Sequence, residues 1–347
     1  MRHSIFDILS FFFIGQAFGC GYAAPCNSWI KNRARLLHRE PTSPTQNLPF
    51  IVYSFVHMKV IANPAAGNGR GINHIERLRK LLDARRVSCE FLTTQGPGHA
   101  TELAAQLAKS ETRRVIVAGG DGTVSEVING LAGTAVEIGV VAIGTGNDLA
   151  RTLKLPYNDV AKAVAVALSG RARAVDLGRE RRRFFVSSVG LGFASDVVEQ
   201  TNRRSWLGGS AKFFFAVHRA LHKLRAIPIL LELDGEAREL DCVSVLVQNT
   251  AYTGGGLLIA PDARIDDGLL DVAVIGAIGK LDLVCNFPRL YRGTHSNHPK
   301  FAVYRARKVR IETATPLPVM LDGDIWGYSP IEAEVVSQAV KVVVDHE

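Results

Sequence analysis

A turn of three glycines, one aspartate and one threonine joins a short apolar run to a helical pattern between residues 115 and 131. Residues 115–118 are apolar and mostly β-branched, the turn is residues 119–123, and apolar residues at helical spacing follow at once. Glycines at such a junction let the backbone approach a ligand closely and adopt positive φ where the turn requires it. The free N–H groups and the positive dipole end of the new helix favour an anion. The segment therefore predicts a phosphate-binding loop.

Asp121 is the unusual member of this turn, because a carboxylate repels phosphate. A divalent cation between the two groups, or a sugar hydroxyl bound by the carboxylate, would remove the conflict. The loop thus indicates a nucleotide bound with Mg²⁺. The sequence contains neither a Walker A motif nor a Gly-x-Gly-x-x-Gly dinucleotide motif. The alternative interpretation is a glycine-rich turn in an ordinary α/β domain.

Strand and helix patterns alternate from Met58 to about residue 170. Strands are predicted over residues 60–62, 89–93, 113–118 and 138–143, and helices over 72–82, 100–109 and 160–168. Such alternation is typical of parallel strands with helices on both faces, where ligands bind at the carboxyl ends of the strands. We predict a doubly wound nucleotide-binding domain over residues 58–176.

Strand patterns dominate after residue 174. They cover residues 184–189, 229–233, 242–247, 270–274, 309–312, 319–321 and 331–336, while residues 209–225 form the one clear helical stretch. This pattern predicts a β-rich domain over residues 177–347, built as a sandwich or a curved sheet. The charged segment 177–183 marks the boundary. It is interpreted as a solvated hairpin loop, with a lipid or phosphate contact as the alternative.

The composition of the chain limits the kinds of ligand and partner that it can bind. The net charge of +8 suits anionic ligands such as ATP or an anionic lipid surface, and no recognisable nucleic-acid-binding module is present. The five cysteines are scattered without a Cys-x-x-Cys pair, so neither a zinc site nor a disulfide framework is indicated. A reducing cytoplasm fits this usage. Nothing in the sequence indicates an oligomer.

The first 57 residues are interpreted as an N-terminal extension outside the fold. Residues 8–24 are largely apolar, which leaves a signal peptide or a short membrane anchor open. Asp7 and three glycines weaken both alternatives. We expect a cytoplasmic protein that associates peripherally with membranes.

Several motifs resemble, in order, those of the diacylglycerol/sphingosine lipid kinases and their distant relatives, the NAD kinases and phosphofructokinases. The turn at 119–123 resembles the signature of this whole group. The other segments resemble the bacterial diacylglycerol kinase-like lipid kinases: Asn63-Pro64 with Gly67 and Gly69, residues 144–151, Asn249 with residues 254–256, residues 266–271, and Asp322-Gly323-Asp324. The resemblance extends from Met58 to the C-terminus. It implies an NAD kinase-like first domain and a β-sandwich second domain, with residues 341–344 returning to the first domain as a final strand.

The resemblance also implies the binding residues for ATP. These are Asn63, Thr94, Gly119, Gly120, Asp121, Gly122, Thr123, Val124, Ser125, Gly144, Thr145, Asn147 and Asp148. Asn147 and Asp148 are also favoured helix caps, so a capping role for Asp148 stands beside a Mg²⁺–phosphate role.

The acceptor implied by the family is a lipid hydroxyl at a membrane surface, activated by a general base. Asp324 lies where the family has the glutamate of Asp-Gly-Glu, and its side chain is shorter by one methylene. Asp322 is therefore the second candidate for the catalytic carboxylate. The alternative is that residues 322–324 form a plain turn.

A structural Mg²⁺ site is implied in the second domain. Asp267 would supply its carboxylate, and Arg264 and Leu269 would supply backbone carbonyls, which are hard oxygen ligands. Segment 206–225 mixes aromatic and basic residues, which is consistent with a membrane-facing lip or with a core helix that has a basic outer face.

The sequence predicts an ATP- and Mg²⁺-dependent kinase that phosphorylates diacylglycerol or a related lipid. Two alternatives remain at this point. One is an NAD kinase-like enzyme with a soluble acceptor, and the other is a catalytically weak lipid-binding or regulatory protein with the same fold.

Overall fold

The computed structural model describes residues 57–67, 69–202 and 209–346. The predictions for the N-terminal extension, and for Trp206 in the aromatic and basic segment, lie outside these residues. No helix within the described ranges is both long enough and apolar enough to span a membrane.

The first part of the chain is a parallel sheet with helices. Its strands are β1 Met58–Ala62, β2 Cys89–Thr93, β3 Arg114–Gly119 and β4 Glu137–Ala142, and its helices are α1 Gly71–Ala84, α2 His99–Ala108, α3 Asp121–Leu131, α4 Asp148–Thr152 and α5 Val160–Ser169. The strands pair in parallel in the order β4-β3-β1-β2. Residues 115–118 of β3 are buried on both faces, as expected of a central parallel strand. The predicted α/β class of this part is confirmed.

The second part is rich in β-strands. The strands are β5 Arg171–Glu180, β6 Arg183–Phe185, β7 Ser188–Gly192, β8 Ile227–Leu233, β9 Glu236–Gln248, β10 Tyr252–Thr253, β11 Leu257–Leu258, β12 Leu270–Gly276, β13 Phe301–Ala306, β14 Lys308–Thr313, β15 Pro318–Leu321, β16 Asp324–Tyr328 and β17 Ile331–Val344; the helices are α6 Phe193–Asn202, α7 Gly209–Lys223 and α8 Lys280–Leu290. Antiparallel pairs connect most of these strands in the order β16-β15-β7-β9-β8-β14-β17.

The last strand, β17, joins the two parts. It pairs antiparallel with β14 and β5 and parallel with β4, through Lys341 and Val342 opposite Glu137 and Ile138. Strand β5 runs unbroken from Arg171 to Glu180 and turns through Arg181 and Arg182 into β6. The charged segment is therefore the end of a strand and a hairpin turn, in agreement with the hairpin interpretation.

Helices α6 and α8 were not predicted. Helix α8 contains Pro288, and α6 is rich in polar and β-branched residues, so the intrinsic helix propensity of both is low. Burial compensates for it, because Phe193 and Val197 of α6 and Leu283 and Phe287 of α8 are buried. Helix α7 also packs inward through Ala216, Val217, Ala220 and Leu221, which supports the core-helix interpretation of this segment.

A stability prediction concerns Gly178 of β5, which pairs with Phe185 of β6. A Cβ atom at position 178 would lie 1.9 Å from Cζ of the fully buried Phe185 ring. We expect Gly178→Ala to lower the free energy of unfolding by about 3 kcal/mol through overpacking. Phe185→Leu should partly rescue it, so that the double variant loses less than the sum of the single variants.

Urea unfolding measures the differences in free energy of unfolding between these variants and the wild type. The control is Gly96→Ala, because a Cβ there meets no atom within 4 Å. Equal stability of Gly178→Ala and Gly96→Ala would contradict the proposed packing.

Candidate functional site

Two glycine loops lie side by side at the carboxyl ends of β3 and β4. A Cβ atom on Gly144 would lie 2.5 Å from the Cα of Gly120, and a Cβ on Gly119 would lie 2.5 Å from the Cβ of Thr123. Gly119, Gly120 and Gly122 all have negative or extended φ, so the conformational freedom expected of them is not used. Glycine is required here because the two backbones approach closely.

The N-terminus of α3 forms an open cradle. The helix begins at Asp121, and Gly120 at the N-cap supplies no side-chain hydrogen bond. A Cβ atom on Gly122 would meet nothing within 4 Å, so the backbone there faces open space. The first-turn N–H groups of a helix without a capping side chain favour an anionic ligand. The cradle fits a phosphate group.

Asn63 and Thr123 border this cradle together. Nδ2 of Asn63 donates a hydrogen bond to the Thr123 hydroxyl at 2.8 Å, and Oδ1 of Asn63 accepts one from the Ala65 N–H at 2.9 Å. The loop after β1 is thus attached to the start of α3. The structure brings together two residues that are 60 positions apart and that were both predicted to bind ATP.

Asp121 has partners that the sequence did not indicate. Its two carboxylate oxygens accept main-chain N–H groups of Asn147 at 2.6 Å and Asp148 at 2.7 Å. The carboxylate therefore caps α4 and fixes the second glycine loop against the first. Burial raises the pKa of Asp121, and these hydrogen bonds oppose that rise.

Asn147 stabilises the second loop from within. It adopts the left-handed conformation with φ of 57°, its Oδ1 accepts the Gly144 N–H at 3.1 Å, and its Nδ2 donates to the Gly144 carbonyl at 3.0 Å. Both polar atoms of the side chain are therefore used inside the loop. Thr145, between them, is exposed.

Asp148 connects the first part of the chain to the second. Its Oδ1 accepts the N–H groups of Gly255 at 3.2 Å and Gly256 at 3.0 Å. Burial raises the pKa of Asp148 to about 7, and the neighbouring charge of Asp121 contributes to the rise. The Asp148 side chain therefore connects two segments that are distant in sequence and does not cap α4, whose first N–H groups bind Asp121.

The remaining predicted ATP residues differ in accessibility. Thr94 follows β2 and is buried, with its N–H donating to the Ala62 carbonyl at 2.9 Å. The Val124 side chain lies in the hydrophobic core, so only its backbone could contact a ligand. Ser125 is turned away from the cradle, and its hydroxyl donates to Oδ2 of Asp322 at 2.8 Å.

Asp322 is a buried acceptor in the turn between β15 and β16. Besides Ser125, the N–H groups of Val186, Ser187 and Ser188 donate to its carboxylate at 2.8, 2.8 and 3.1 Å. Burial raises the pKa of Asp322, and its four donors oppose that rise. Asp322 and Gly323 have φ of 46° and 89°, so residues 322–324 do form a tight turn.

Asp324 begins β16 and is exposed. It lies two residues beyond Asp322, so their Cα atoms are at most about 8 Å apart. Since Asp322 is hydrogen-bonded to Ser125 of α3, the main chain at Asp324 lies near the cradle helix, and the Asp324 side chain is exposed to solvent. The sequence did not predict the hydrogen bonds from the N–H groups of residues 186–188 to Asp322, because no local pattern indicates a main-chain donor so far away in the sequence.

The predicted structural Mg²⁺ site does not fit its residues well. Asp267 accepts the Leu269 N–H at 3.2 Å, and its other oxygen is ion-paired with the guanidinium of Arg305. Asp266 is paired with Arg173 at 2.6 Å. Among the described residues, no group of three or more His, Cys, Asp or Glu side chains could hold a metal ion. A guanidinium already neutralises the one carboxylate of the set.

The raised pKa of Asp148 predicts a pH-dependent stability. Because its folded pKa of about 7 exceeds the ordinary 3.8, the native state binds more protons than the unfolded state between these values. Wild-type stability should therefore fall as pH rises through this window. Asp148→Asn keeps an oxygen acceptor and cannot ionise, so its melting temperature should rise relative to wild type across the window and level off above it.

Thermal unfolding at several pH values measures the difference between the two proteins. The surface variant Asp83→Asn controls for the removal of one negative charge. Parallel melting curves for wild type and Asp148→Asn at every pH would contradict the prediction.

Two sequence-family models match the chain in order. The diacylglycerol kinase catalytic domain matches residues 57–179, and the YegS C-terminal NAD kinase beta sandwich-like domain matches residues 187–344. The second match agrees with the predicted β-sandwich character of the C-terminal part.

Comparisons over most of the chain agree with the two family matches. A diacylglycerol kinase of Mycobacterium tuberculosis is 32% identical over 289 residues, covering 82% of this chain and 93% of the relative. A diacylglycerol kinase of Bacillus subtilis is 27% identical over 292 residues, covering 83% and 96%. The crystal structure of a diacylglycerol kinase from Bacillus anthracis strain Sterne superposes with a TM-score of 0.66 at 25% identity, covering 83% and 97%. The chain therefore belongs to the diacylglycerol kinase-like family of bacterial lipid kinases.

Proposed function

We propose that this kinase transfers the γ-phosphoryl group of ATP, bound with Mg²⁺, to a hydroxyl of diacylglycerol or a related lipid. The observation that carries the proposal is the open cradle at Gly122 on an uncapped helix, with the exposed Asp324 two residues beyond Asp322, which is hydrogen-bonded to that helix. Family membership supports the kinase activity and the names of the relatives support the lipid acceptor. A cytoplasmic location with access to a membrane is part of the proposal.

Different residues around the cradle would bind different parts of ATP. The first-turn N–H groups of α3, with Asn63 and the Thr123 hydroxyl, would hold phosphate oxygens. Thr94 and Thr145 would lie nearer the nucleoside. Asp121, Asn147 and Asp148 would act by fixing the two loops, because their polar atoms already bind main-chain groups. Mg²⁺ bound with the triphosphate would neutralise charge on the transferred group.

Asp324 is proposed as the general base. Its carboxylate would accept the proton of the lipid hydroxyl as the hydroxyl oxygen attacks the phosphorus. Asp322 is a positioning residue in this proposal, because its four hydrogen-bond donors leave it no role as an acceptor for substrate. It would hold the turn that presents Asp324.

The first test is Gly122→Val. A side chain there enters open space, and valine has a higher helix propensity than glycine, so the protein should fold as wild type. The same side chain would fill the cradle, and we expect calorimetry to show at least about a hundredfold weaker binding of Mg·ATP, since the phosphates would lose the first-turn N–H groups. Wild-type affinity in a folded Gly122→Val protein would overturn the binding proposal.

The second test is Asp324→Asn. The amide cannot accept the proton, so kcat should fall by about 10²- to 10⁴-fold, while the affinity for Mg·ATP stays unchanged. The measurement is transfer of labelled phosphate from ATP to diacylglycerol, a sphingoid base or NAD. Asp324→Glu should recover part of kcat, and near-normal turnover by Asp324→Asn would remove this residue from the mechanism. Phosphorylation of NAD in place of the lipids would favour the soluble-acceptor alternative.

A further inference from the structure

Strand β16 forms an open edge of the large sheet and carries a cluster of exposed apolar side chains. It is the terminal strand in the pairing order, with β15 as its neighbour on one side. Ile325, Trp326 and Tyr328 are 36%, 46% and 62% exposed. Only four other large hydrophobic side chains in the described ranges are as exposed, and they are scattered over the chain. Such a concentration indicates a surface that meets a partner.

Three consecutive arginines stand beside this strand. Arg181 and Arg182 are exposed at the tip of the β5–β6 hairpin, and the guanidinium of Arg183 lies 4.2 Å from the centre of the Trp326 ring. Nη2 of Arg181 donates to the carbonyl of Pro330 at 3.0 Å, which joins the hairpin to the chain just after β16. Nε of Arg181 is ion-paired with the buried Glu180 at 3.3 Å. In the part of the chain that the structure describes, no ion pair includes Arg182 or Arg183. We name Arg181, Arg182, Arg183, Ile325, Trp326 and Tyr328 the aromatic edge.

The chemistry of the aromatic edge matches one kind of partner. Trp and Tyr have an apolar ring and a polar atom, and they concentrate at membrane–water interfaces. Unpaired arginines beside them attract anionic lipid headgroups. A protein partner would need acidic groups that match both arginines, whereas an anionic bilayer supplies mobile phosphates and an apolar interior together.

We propose that the aromatic edge docks the protein on an anionic lipid bilayer, with the three apolar side chains inserted between headgroups and with Arg182 and Arg183 bound to lipid phosphates. The proposal rests on the proposed lipid kinase activity. Trp326 lies two residues from Asp324, a distance of about 7 Å along a strand. Docking at this edge therefore holds the proposed base beside the layer in which a lipid hydroxyl resides.

A second copy of this chain is the competing occupant of an open strand edge. Edge-to-edge pairing would bring two sets of three arginines to one interface. Glu180 is ion-paired with Arg181, and Asp324 is exposed on β16, so each set of three arginines retains one excess positive charge. This repulsion favours the bilayer.

The test is flotation of the full chain with vesicles of phosphatidylcholine containing about one third phosphatidylglycerol, without ATP or substrate. Ile325→Ser/Tyr328→Ser should need about tenfold more lipid for half-maximal binding, because two apolar groups no longer insert. Arg182→Gln should need about fivefold more, and the wild-type protein should bind less at high salt or to pure phosphatidylcholine. Quenching of tryptophan fluorescence by brominated lipid should decrease in Trp326→Phe.

Matched controls remove equally exposed groups elsewhere. Ile72→Ser/Leu281→Ser replaces side chains that are 56% and 57% exposed, and Arg77→Gln removes an exposed arginine of α1. Both should float as the wild type does, and thermal unfolding of every variant verifies the fold.

Wild-type flotation by Ile325→Ser/Tyr328→Ser, or an equal loss in the matched controls, would overturn the inference. A concentration-dependent dimer in sedimentation that the same double variant abolishes would also overturn it, in favour of a second copy. A short-chain diacylglycerol that is monomeric in solution can be phosphorylated without docking on a bilayer. Its turnover therefore distinguishes failure of the docking inference from failure of the proposed function. If the edge variants retain that turnover and wild-type flotation, the docking inference fails and the kinase proposal remains.

Discussion

Buried carboxylates that accept main-chain N–H groups from distant segments hold the candidate site together. Asp121 binds the N–H groups of Asn147 and Asp148, and Asp148 binds those of Gly255 and Gly256. Asp322 does the same for residues 186–188. A buried carboxylate is costly unless it is hydrogen-bonded, so each of these groups specifies one arrangement of the segments around it. The loops at the cradle are thereby fixed before any ligand binds.

These bonds explain why the carboxylates of the site have different roles. Asp121, Asp148 and Asp322 are buried and their oxygens are engaged by backbone donors, so they determine position. Asp324 is exposed at the start of β16 and is free to meet a substrate. Environment alone distinguishes the proposed base, Asp324, from the three supporting carboxylates, since all four are the same residue type. The arginines and aromatic side chains beside Asp324 extend the same region to a surface suited to lipid.

The local patterns predicted much of the fold because they depend on near neighbours. Strand β2 covers residues 89–93, as its pattern predicts, and β3 is followed by a glycine turn and α3 in the predicted order. Prediction was weaker where packing overrides propensity. Helices α6 and α8 have little intrinsic helix preference and form because their apolar residues are buried, while the apolar Ile72 of α1 is 56% exposed. The unbroken strand β5 could not be anticipated either, because its charged end is held by pairing with β17.

The sequence by itself determined which glycines allow close approach, which residues are candidates to bind phosphate, and which family the ordered motifs resemble. Only the tertiary structure decided what each carboxylate does, since that depends on donors located 26 to 197 positions away along the chain. It also decided that Arg183 lies over Trp326, which creates a surface from a hairpin and an edge strand that are far apart in sequence. Burial and hydrogen bonding are properties of the folded environment, and a residue's identity fixes only the range of roles from which that environment selects.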